Sequence, residues 1–198
     1  MITEFTRDII LTGEHIFLEP MTINHVDGLT KVIQDGELWK LWYTLIPPPE
    51  QVEVWVNIAL EKKEQEQVMP FVVRKINSGE IIGTTRFLNI EKNNRHLEIG
   101  STFYAMPYQR TFVNTEAKLL LLTYAFEELK CIAVEFRTHF MNMKSRNAIL
   151  RLGAKQDGIL RNHMIMPDST YRDTVAFSII ESEWHAVKVN LLNKLGRL

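Results

Sequence analysis

Residues 107–130 read PYQRTFVNTEAKLLLLTYAFEELK, and the fold of the chain is organised around them. A short loop from Pro107 to Asn114 comes before a long apolar helix, which is predicted from Thr115 to Lys130. The four successive leucines of this helix indicate that it is buried on nearly all sides. Free amides at the start of a helix point towards such a loop, and the helix dipole places partial positive charge there. The stretch therefore predicts a binding site for a phosphate or pyrophosphate group.

Three consecutive β-type runs lead up to this loop. Phe71–Ile76 and Ile81–Ile90 flank the turn residues 77–80 and predict a β-hairpin, and Arg95–Tyr104 predicts a third antiparallel strand. After the helix, Cys131–Phe140 contains Ile, Val and Phe and predicts another strand. A strand, a crossover helix and a second strand place the two flanking strands parallel. We therefore expect a mixed sheet in an α/β (α+β) domain.

The outer segments add helices and a second hairpin. In the aromatic cluster before Pro47, we expect Trp42 in the core and leave Trp39 open between the core and a pocket wall. The outer elements are a strand His15–Pro20, a helix to about Gln34 that Thr22 or Asn24 caps, a helix Gln51–Gln67, a short helix from Asn142 to Gly153, a hairpin of Gly158–Met166 and Arg172–Ile180, and a last helix that Ser182 caps.

The composition disfavours several classes of protein. The 198 residues, of which 45% are hydrophobic, fit a single domain over residues 1–198. Basic and acidic residues nearly balance, 23 against 24, so we expect no nucleic-acid partner. No apolar run approaches about 18 residues, so we expect no membrane partner, and the lone Cys131 is typical of a cytoplasmic protein. The 6 histidines are scattered, so no metal site is expected.

The order of elements and two short motifs resemble a known family. Glu98-Ile99-Gly100 lies on the strand before the loop, Pro107 opens the loop, and Glu116-Ala117 lies in the first turn of the long helix. These residues resemble the GNAT superfamily of acyl-CoA-dependent N-acyltransferases, and within it the branch that includes ribosomal-protein N-terminal acetyltransferases. The resemblance covers nearly the whole chain. It implies a mixed, mostly antiparallel central sheet with helices on both faces.

The loop departs from the pattern of the superfamily, Q/R-x-x-G-x-G/A. Only Gln109 matches, and Phe112 and Asn114 stand in place of glycines, which allow close backbone approach to phosphate. The amides from Arg110 to Asn114 can still hold the diphosphate of coenzyme A if Phe112 keeps a right-handed backbone and its ring points away. The cofactor-binding residues that the resemblance implies are Ser101, Thr102, Phe103, Gln109, Arg110, Thr111, Phe112, Val113, Asn114, Asn142 and Ser145.

Acetyl transfer to an amine needs a base, because amines are mostly protonated at pH 7. The resemblance implies Glu98 for this role, since its strand splays from the strand beginning near Cys131 and leaves a cleft. An ordinary ion pair of Glu98 with Arg95 or Arg137 is the alternative. A backbone amide from Ser101 to Tyr104 would polarise the thioester oxygen.

The departing sulfur also needs a proton. Ile149 stands where many relatives carry the tyrosine that donates it, so Ser145 or an ordered water is the substitute that we propose. Ordinary helix capping is the alternative role for Asn142 and Ser145.

These features together imply an acetyl-CoA-dependent N-acetyltransferase in which the acceptor amine attacks the thioester directly. The acceptor is a protein N-terminus or a small-molecule amine, and the sequence does not choose between them. Phe112 and Ile149 favour an alternative, a non-catalytic CoA- or nucleotide-binding sensor of the same fold. A pure interaction domain is a third interpretation, and the oligomeric state, including a homodimer, is left open.

Overall fold

The computed structural model describes residues 4–198, which contain eight strands and five α-helices. The strands are β1 (Leu11–Thr12), β2 (Ile16–Pro20), β3 (Met69–Lys75), β4 (Ile81–Glu91), β5 (His96–Tyr104), β6 (Ala133–His139), β7 (Lys155–Ile165) and β8 (Tyr171–Ile180). The helices are α1 (Val26–Gln34), α2 (Val52–Glu64), α3 (Val113–Thr123), α4 (Met143–Leu152) and α5 (Glu181–Lys194). Helix α3 starts two residues before the predicted start and continues into a π-helical turn, Tyr124–Glu128.

One mixed sheet contains all eight strands in the order β1-β2-β3-β4-β5-β6-β8-β7. Among the neighbouring strands of residues 4–198, only β5 and β6 run parallel, and the loop and α3 connect them. The crossover predicted from the sequence is therefore confirmed, as is the mostly antiparallel sheet. The last hairpin pairs β8 with β6 and leaves β7 at the edge of the sheet.

Helices cover both faces of the sheet, as expected, because neighbouring residues of one strand point in opposite directions. Phe71 and Val73 of β3 pack into a main core with buried residues of α3, α4 and α5. Val72, which lies between them, packs into a second core with α1 and α2. The loop before α3 leads onto the main-core face, where Val113 is buried, and Tyr108 within it packs against both cores.

The parallel strands β5 and β6 stay together over only three register pairs, from His96 opposite Ala133 to Glu98 opposite Glu135. Beyond this point β5 pairs with β4, whereas β6 pairs with β8 as far as His139. A β-bulge interrupts β5 in the same region, where Ser101 adopts a φ of 47°. A gap therefore opens in the middle of the sheet.

The expectation that Trp42 lies in the core is wrong, because its side chain is 54% exposed. Trp42 follows a short 3-10 turn, Leu38–Lys40, so helical spacing does not bury it. Its ring instead meets the ring of His139 edge-on, with the centroids 5.2 Å apart. Trp39 is partly buried against the second core.

The start of the last helix also differs from the prediction. Strand β8 pairs with β6 as far as Ile180, and α5 begins at the next residue, so Ile180 rather than Ser182 occupies the capping position. Strand β7 begins at Lys155, three residues before the predicted start at Gly158.

Glu116 is fully buried and ties both ends of the chain to α3. Its Oε1 accepts hydrogen bonds from the amide of Glu14 at 2.6 Å and from Nη2 of Arg197 at 2.6 Å. Gly13 permits this approach, since a Cβ there would stand 2.4 Å from Oε1. Glu116 therefore has a specific tertiary role, in addition to its position in the first turn of α3, where a negative charge complements the helix dipole.

Cys131 is buried in the main core, and burial raises the pKa of its thiol to about 12. The thiol is therefore protonated at neutral pH and acts as a small apolar side chain. In the described part of the chain, no helix has the length and apolar character needed to cross a membrane.

Candidate active site

A cavity of about 820 Å³ opens in the gap between β5 and β6. Its walls come from the bulged end of β5, the loop before α3, the end of β6, and α4. This volume lies in the range of sites that enclose a cofactor-sized ligand. The cleft expected beside the strand of Glu98 is therefore present in the structure.

Most of the residues singled out from the sequence line this cavity. Val113 does not, because it is buried in the main core, and the side chain of Phe112 does not, because it is 46% exposed beside His15. The residues that do are Glu98, Ser101, Thr102, Phe103, Gln109, Arg110, Thr111, Asn114, Asn142 and Ser145.

The loop before α3 presents backbone amides at the start of the helix. Phe112 adopts a right-handed conformation, with φ −65° and ψ −20°, and its ring packs against His15 with the centroids 4.8 Å apart. The left-handed residue is Arg110, with a φ of 60°, so the positions that hold glycines in the pattern carry no strain here. Within residues 4–198, the amides of Arg110, Thr111, Phe112 and Asn114 donate to no other group. They are therefore available to an anion.

Three polar side chains of the loop fix its shape. Gln109 Nε2 donates to the carbonyl oxygen of Tyr104 at 2.9 Å, and Thr111 Oγ1 donates to that of Tyr108 at 2.7 Å. Asn114 Oδ1 accepts from the Tyr104 hydroxyl at 3.3 Å, and burial raises the pKa of this phenol. The loop is thus held in place by its own contacts.

Asn142 caps α4, because its Oδ1 accepts a hydrogen bond from the amide of Ser145 at 3.0 Å. The capping role considered for this residue is therefore present. The Ser145 side chain also lies on the cavity wall, next to Ile149 one turn further along the helix. Gly153 ends α4 in a left-handed conformation, as predicted.

Glu98 lies at the closed end of the gap, and its side chain is 8% exposed. Its Oε2 accepts from Asn89 Nδ2 at 2.8 Å and lies 3.7 Å from Nε of Arg137. Burial raises the pKa of this carboxyl group, and the charge of Arg137 and the hydrogen bond from Asn89 partly oppose that shift. Gly100 leaves room for the carboxylate, since a Cβ there would stand 3.0 Å from Oε1. A buried carboxylate with a raised pKa suits a proton acceptor, although the ion pair with Arg137 is present too.

Lys118 is a cavity residue that the sequence did not single out. It is 5% exposed, and its Nζ donates to Thr102 Oγ1 at 2.8 Å and to Thr85 Oγ1 at 3.1 Å. No carboxylate within residues 4–198 forms an ion pair with it, and burial lowers the pKa of its ammonium group to about 7. One basic residue in an otherwise apolar helix run is the signal that could have identified it.

The wall formed by β6, β7 and β8 carries further polar side chains. His163 Nδ1 and Arg172 Nε lie 3.1 Å and 2.9 Å from the same atom, Thr174 Oγ1. His139 Nδ1 accepts from the amide of Met141 at 3.0 Å, and burial lowers the pKa of this imidazole. His139 is therefore neutral at pH 7. Sequence reasoning missed His163 and Arg172 on this wall because strands distant in sequence assemble it.

Within residues 4–198, no three His, Cys, Asp or Glu side chains are grouped so that they could hold a metal ion.

Comparisons with known proteins agree with this geometry. A family model described as "Acetyltransferase (GNAT) domain" matches residues 15–155. A relative from Bacillus subtilis (strain 168), named "Putative ribosomal N-acetyltransferase YdaF", is 25% identical over 181 residues, which are 89% of this chain and 97% of that protein. The crystal structure of a GCN5-related N-acetyltransferase from Brucella melitensis has a TM-score of 0.83 and 29% identity, over 94% of this chain and 85% of that one.

A further solved structure shares the fold at lower identity. It is Mycobacterium smegmatis RimJ in complex with CoA-disulfide, with a TM-score of 0.77 and 18% identity over 95% of this chain and 92% of that one. The family resemblance read from the sequence is confirmed. Because the family model matches residues 15–155, well over half of the chain, this protein belongs to the GNAT family and is an N-acetyltransferase.

Proposed function

We propose that the cavity binds acetyl-CoA and that the primary amine of an acceptor attacks the acetyl group directly. The observation that carries this proposal is the gap between β5 and β6, which joins free backbone amides and the buried carboxylate of Glu98 in one cavity. A protein N-terminus is the favoured acceptor, because the name of the relative YdaF refers to ribosomal N-acetylation. A small-molecule amine is the other acceptor class.

The residues around the loop fit the phosphates of coenzyme A. The amides of Arg110, Thr111, Phe112 and Asn114 can hold the diphosphate, and the Arg110 side chain adds positive charge on the cavity wall. Lys144 and Arg151 of α4 also line the cavity and suit a further phosphate group. RimJ, which has the same fold, holds a CoA disulfide in its crystal structure, and this supports the assignment.

Acetyl-CoA supplies the activated acyl group as a thioester. We expect the Glu98 carboxylate to take the proton from the acceptor amine, directly or through a water molecule. The bulge removes Ser101 and Thr102 from regular pairing with β4, so a backbone amide between Ser101 and Tyr104 can donate to the thioester oxygen.

Two side chains on the cavity wall can supply the proton of the departing sulfur. They are Ser145, expected from the sequence, and Lys118, whose lowered pKa near 7 leaves it partly protonated at neutral pH. Ser145→Ala and Lys118→Met each remove one candidate, and the variant that lacks the true proton donor should have a kcat lower by about 10²-fold. Steady-state kinetics on both variants identifies the donor. Losses below about fivefold in both would contradict both assignments and leave an ordered water as the donor.

Calorimetric titration with acetyl-CoA, followed by an assay of thiol release with a panel of amines, tests the proposed function. We expect binding of one acetyl-CoA per chain and turnover with at least one amine. Because the Phe112 ring packs against His15 and away from the cavity, Phe112→Ala should change the dissociation constant by less than about threefold. A loss of binding in this variant would mean that the aromatic ring contributes to the cofactor site.

The same measurements decide between the proposed enzyme and the two alternatives. Binding of acetyl-CoA without turnover on any amine would favour the sensor, and an absence of binding would favour a pure interaction domain. Arg110→Gln should lower the affinity for acetyl-CoA but leave kcat nearly unchanged. The substitution removes only the attraction between the charge of Arg110 and the phosphates.

A further inference from the structure

We propose that the acceptor carries a carboxylate beside its amine and that Arg172 binds this carboxylate. The inference rests on the proposed function, which it deepens by naming a substrate class.

The positions of the helices indicate which face of the sheet the acceptor can approach. In β6 and β8, Phe136, Val175 and Phe177 point into the main core beneath α3, α4 and α5. Arg172 and Thr174 point to the opposite face. The second core, which helices α1 and α2 cover on that face, contains no described residue of β6, β7 or β8. Within residues 4–198, the face that carries Arg172 therefore has no helix core packed over it, and the loop that carries Trp42 meets this face at His139. We place the acceptor on this face, because the loop for the diphosphate leads into α3 on the main-core face.

Arg172 forms no ion pair with a carboxylate of the described chain. Its half-buried guanidinium lines the cavity and donates from Nε to Thr174 Oγ1 at 2.9 Å, and within residues 4–198 no carboxylate lies within 4.0 Å of it. Neighbouring arginines differ, because Arg137 pairs with Glu135 at 2.7 Å and Arg161 pairs with Asp173 at 2.5 Å. A partly desolvated guanidinium with no carboxylate in ion-pair contact is suited to an anionic ligand.

The charged residues that line the cavity would orient a bound acceptor. Glu98 is the single acidic residue that lines the cavity in the described part of the chain, and Arg172 lines the same cavity. Burial lowers the pKa of Arg172, and the charge of the nearby Glu98 partly opposes this shift. A ligand with its amine at Glu98 and its carboxylate at Arg172 satisfies both groups.

Two kinds of molecule present this pair of groups. One is a peptide N-terminus with an acidic second residue, and the other is a free amino acid with its own α-carboxylate. The test therefore uses matched peptides that begin with alanine followed by Glu, Gln or Lys, together with free alanine and alaninamide.

Steady-state kinetics with these acceptors at saturating acetyl-CoA tests the proposal. We expect kcat/KM for the Glu peptide to exceed that for the Gln peptide by about tenfold or more, mainly through a lower KM, because the interaction is a charge-assisted hydrogen bond. If the natural acceptor is a free amino acid, kcat/KM for alanine should exceed kcat/KM for alaninamide by a similar factor.

Variants of Arg172 show whether this residue causes the preference. Arg172→Gln should remove the preference, so that kcat/KM becomes equal for the Glu and Gln peptides within that variant, and Arg172→Glu should reverse the preference towards the Lys peptide. Arg161→Gln is the matched control, because Arg161 is exposed, pairs with Asp173 and does not line the cavity, and it should keep the preference.

Equal kcat/KM for the charged and neutral members of both acceptor pairs would overturn the proposal, as would a preference that survives Arg172→Gln. If no acceptor is turned over, the proposed function fails, and calorimetric binding of the same acceptors to the CoA-saturated protein decides this inference alone. Tighter binding of the Glu peptide or of alanine, lost in Arg172→Gln, supports it, and equal binding within both pairs refutes it.

Discussion

Glu98→Gln is expected to lower kcat at pH 7 by about 10²-fold or more, because the amide keeps the shape of the carboxylate but cannot accept a proton. Asn89 and Arg137 hold the side chain at the closed end of the gap, so the variant should fold normally and still bind acetyl-CoA. Stopped or continuous thiol-release assays over a pH series measure both the rate and its pH dependence.

The pH dependence follows from the raised pKa of Glu98. The base must be ionised, so activity should fall as the pH drops through a pKa that lies above the ordinary value of glutamate. Arg137→Gln removes the larger of two cationic contributions, from Arg137 and Arg172, that lower this pKa, and the acidic limb should therefore move to higher pH. Glu98→Gln should lack this limb.

Glu135→Gln is the matched control for the base. Glu135 lies directly opposite Glu98 in the parallel pair and forms an ion pair with Arg137, but it does not line the cavity. Its loss should change kcat by less than about fivefold. A Glu98→Gln enzyme with a nearly unchanged rate and pH profile would exclude Glu98 as the base.

Glu116→Ala is expected to cost about 3 kcal/mol of folding free energy, because it leaves Arg197 and the amides of Glu14 and His15 without their buried acceptor. For a chain of this size the loss corresponds to a fall in Tm of about 6–12 °C. We propose that residues 1–198 form one domain, so unfolding should remain a single transition. Calorimetry or circular dichroism on heating measures both quantities.

Glu14→Gln is the control for this prediction, because Glu14 pairs with the same arginine at 2.7 Å but is largely exposed. An exposed ion pair contributes at most about 1 kcal/mol, so Tm should change little. Equal losses in the two variants would contradict the special role of the buried carboxylate. Glu116 does not line the cavity, so kcat below the melting range should survive its replacement.

The parts of the fold set by local chemistry could be predicted from the sequence. Turn residues 77–80 connect β3 and β4, and the apolar run after Pro107 forms α3 between two parallel strands. The anion-binding loop was identified from its position at the start of a buried helix, and Glu98 through the family resemblance. The fit of Phe112 could not be foreseen, because it depends on Arg110 taking the left-handed conformation instead.

Other features depend on contacts between distant segments. Trp42 is exposed because the chain after α1 forms only a short turn there. Arg172 lines the cavity because β8 lies between β6 and β7, an order that strand patterns alone do not specify. The buried ammonium group of Lys118 donates to hydroxyl groups of Thr85 and Thr102, which lie on two strands distant in sequence. In each case tertiary packing decides what local propensity leaves open.

Three register pairs are all that join strands β1–β5 to strands β6–β8 in the described chain. Past Glu98, the two separated strand edges carry backbone groups that no strand of residues 4–198 bridges. The pantetheine arm of coenzyme A contains amides of its own, and an extended chain of this kind can hydrogen-bond along a strand edge as a peptide does. Bound coenzyme A would then bridge the gap between β5 and β6. The backbone amides beside the gap should therefore exchange hydrogen more slowly in the liganded enzyme than in the free enzyme.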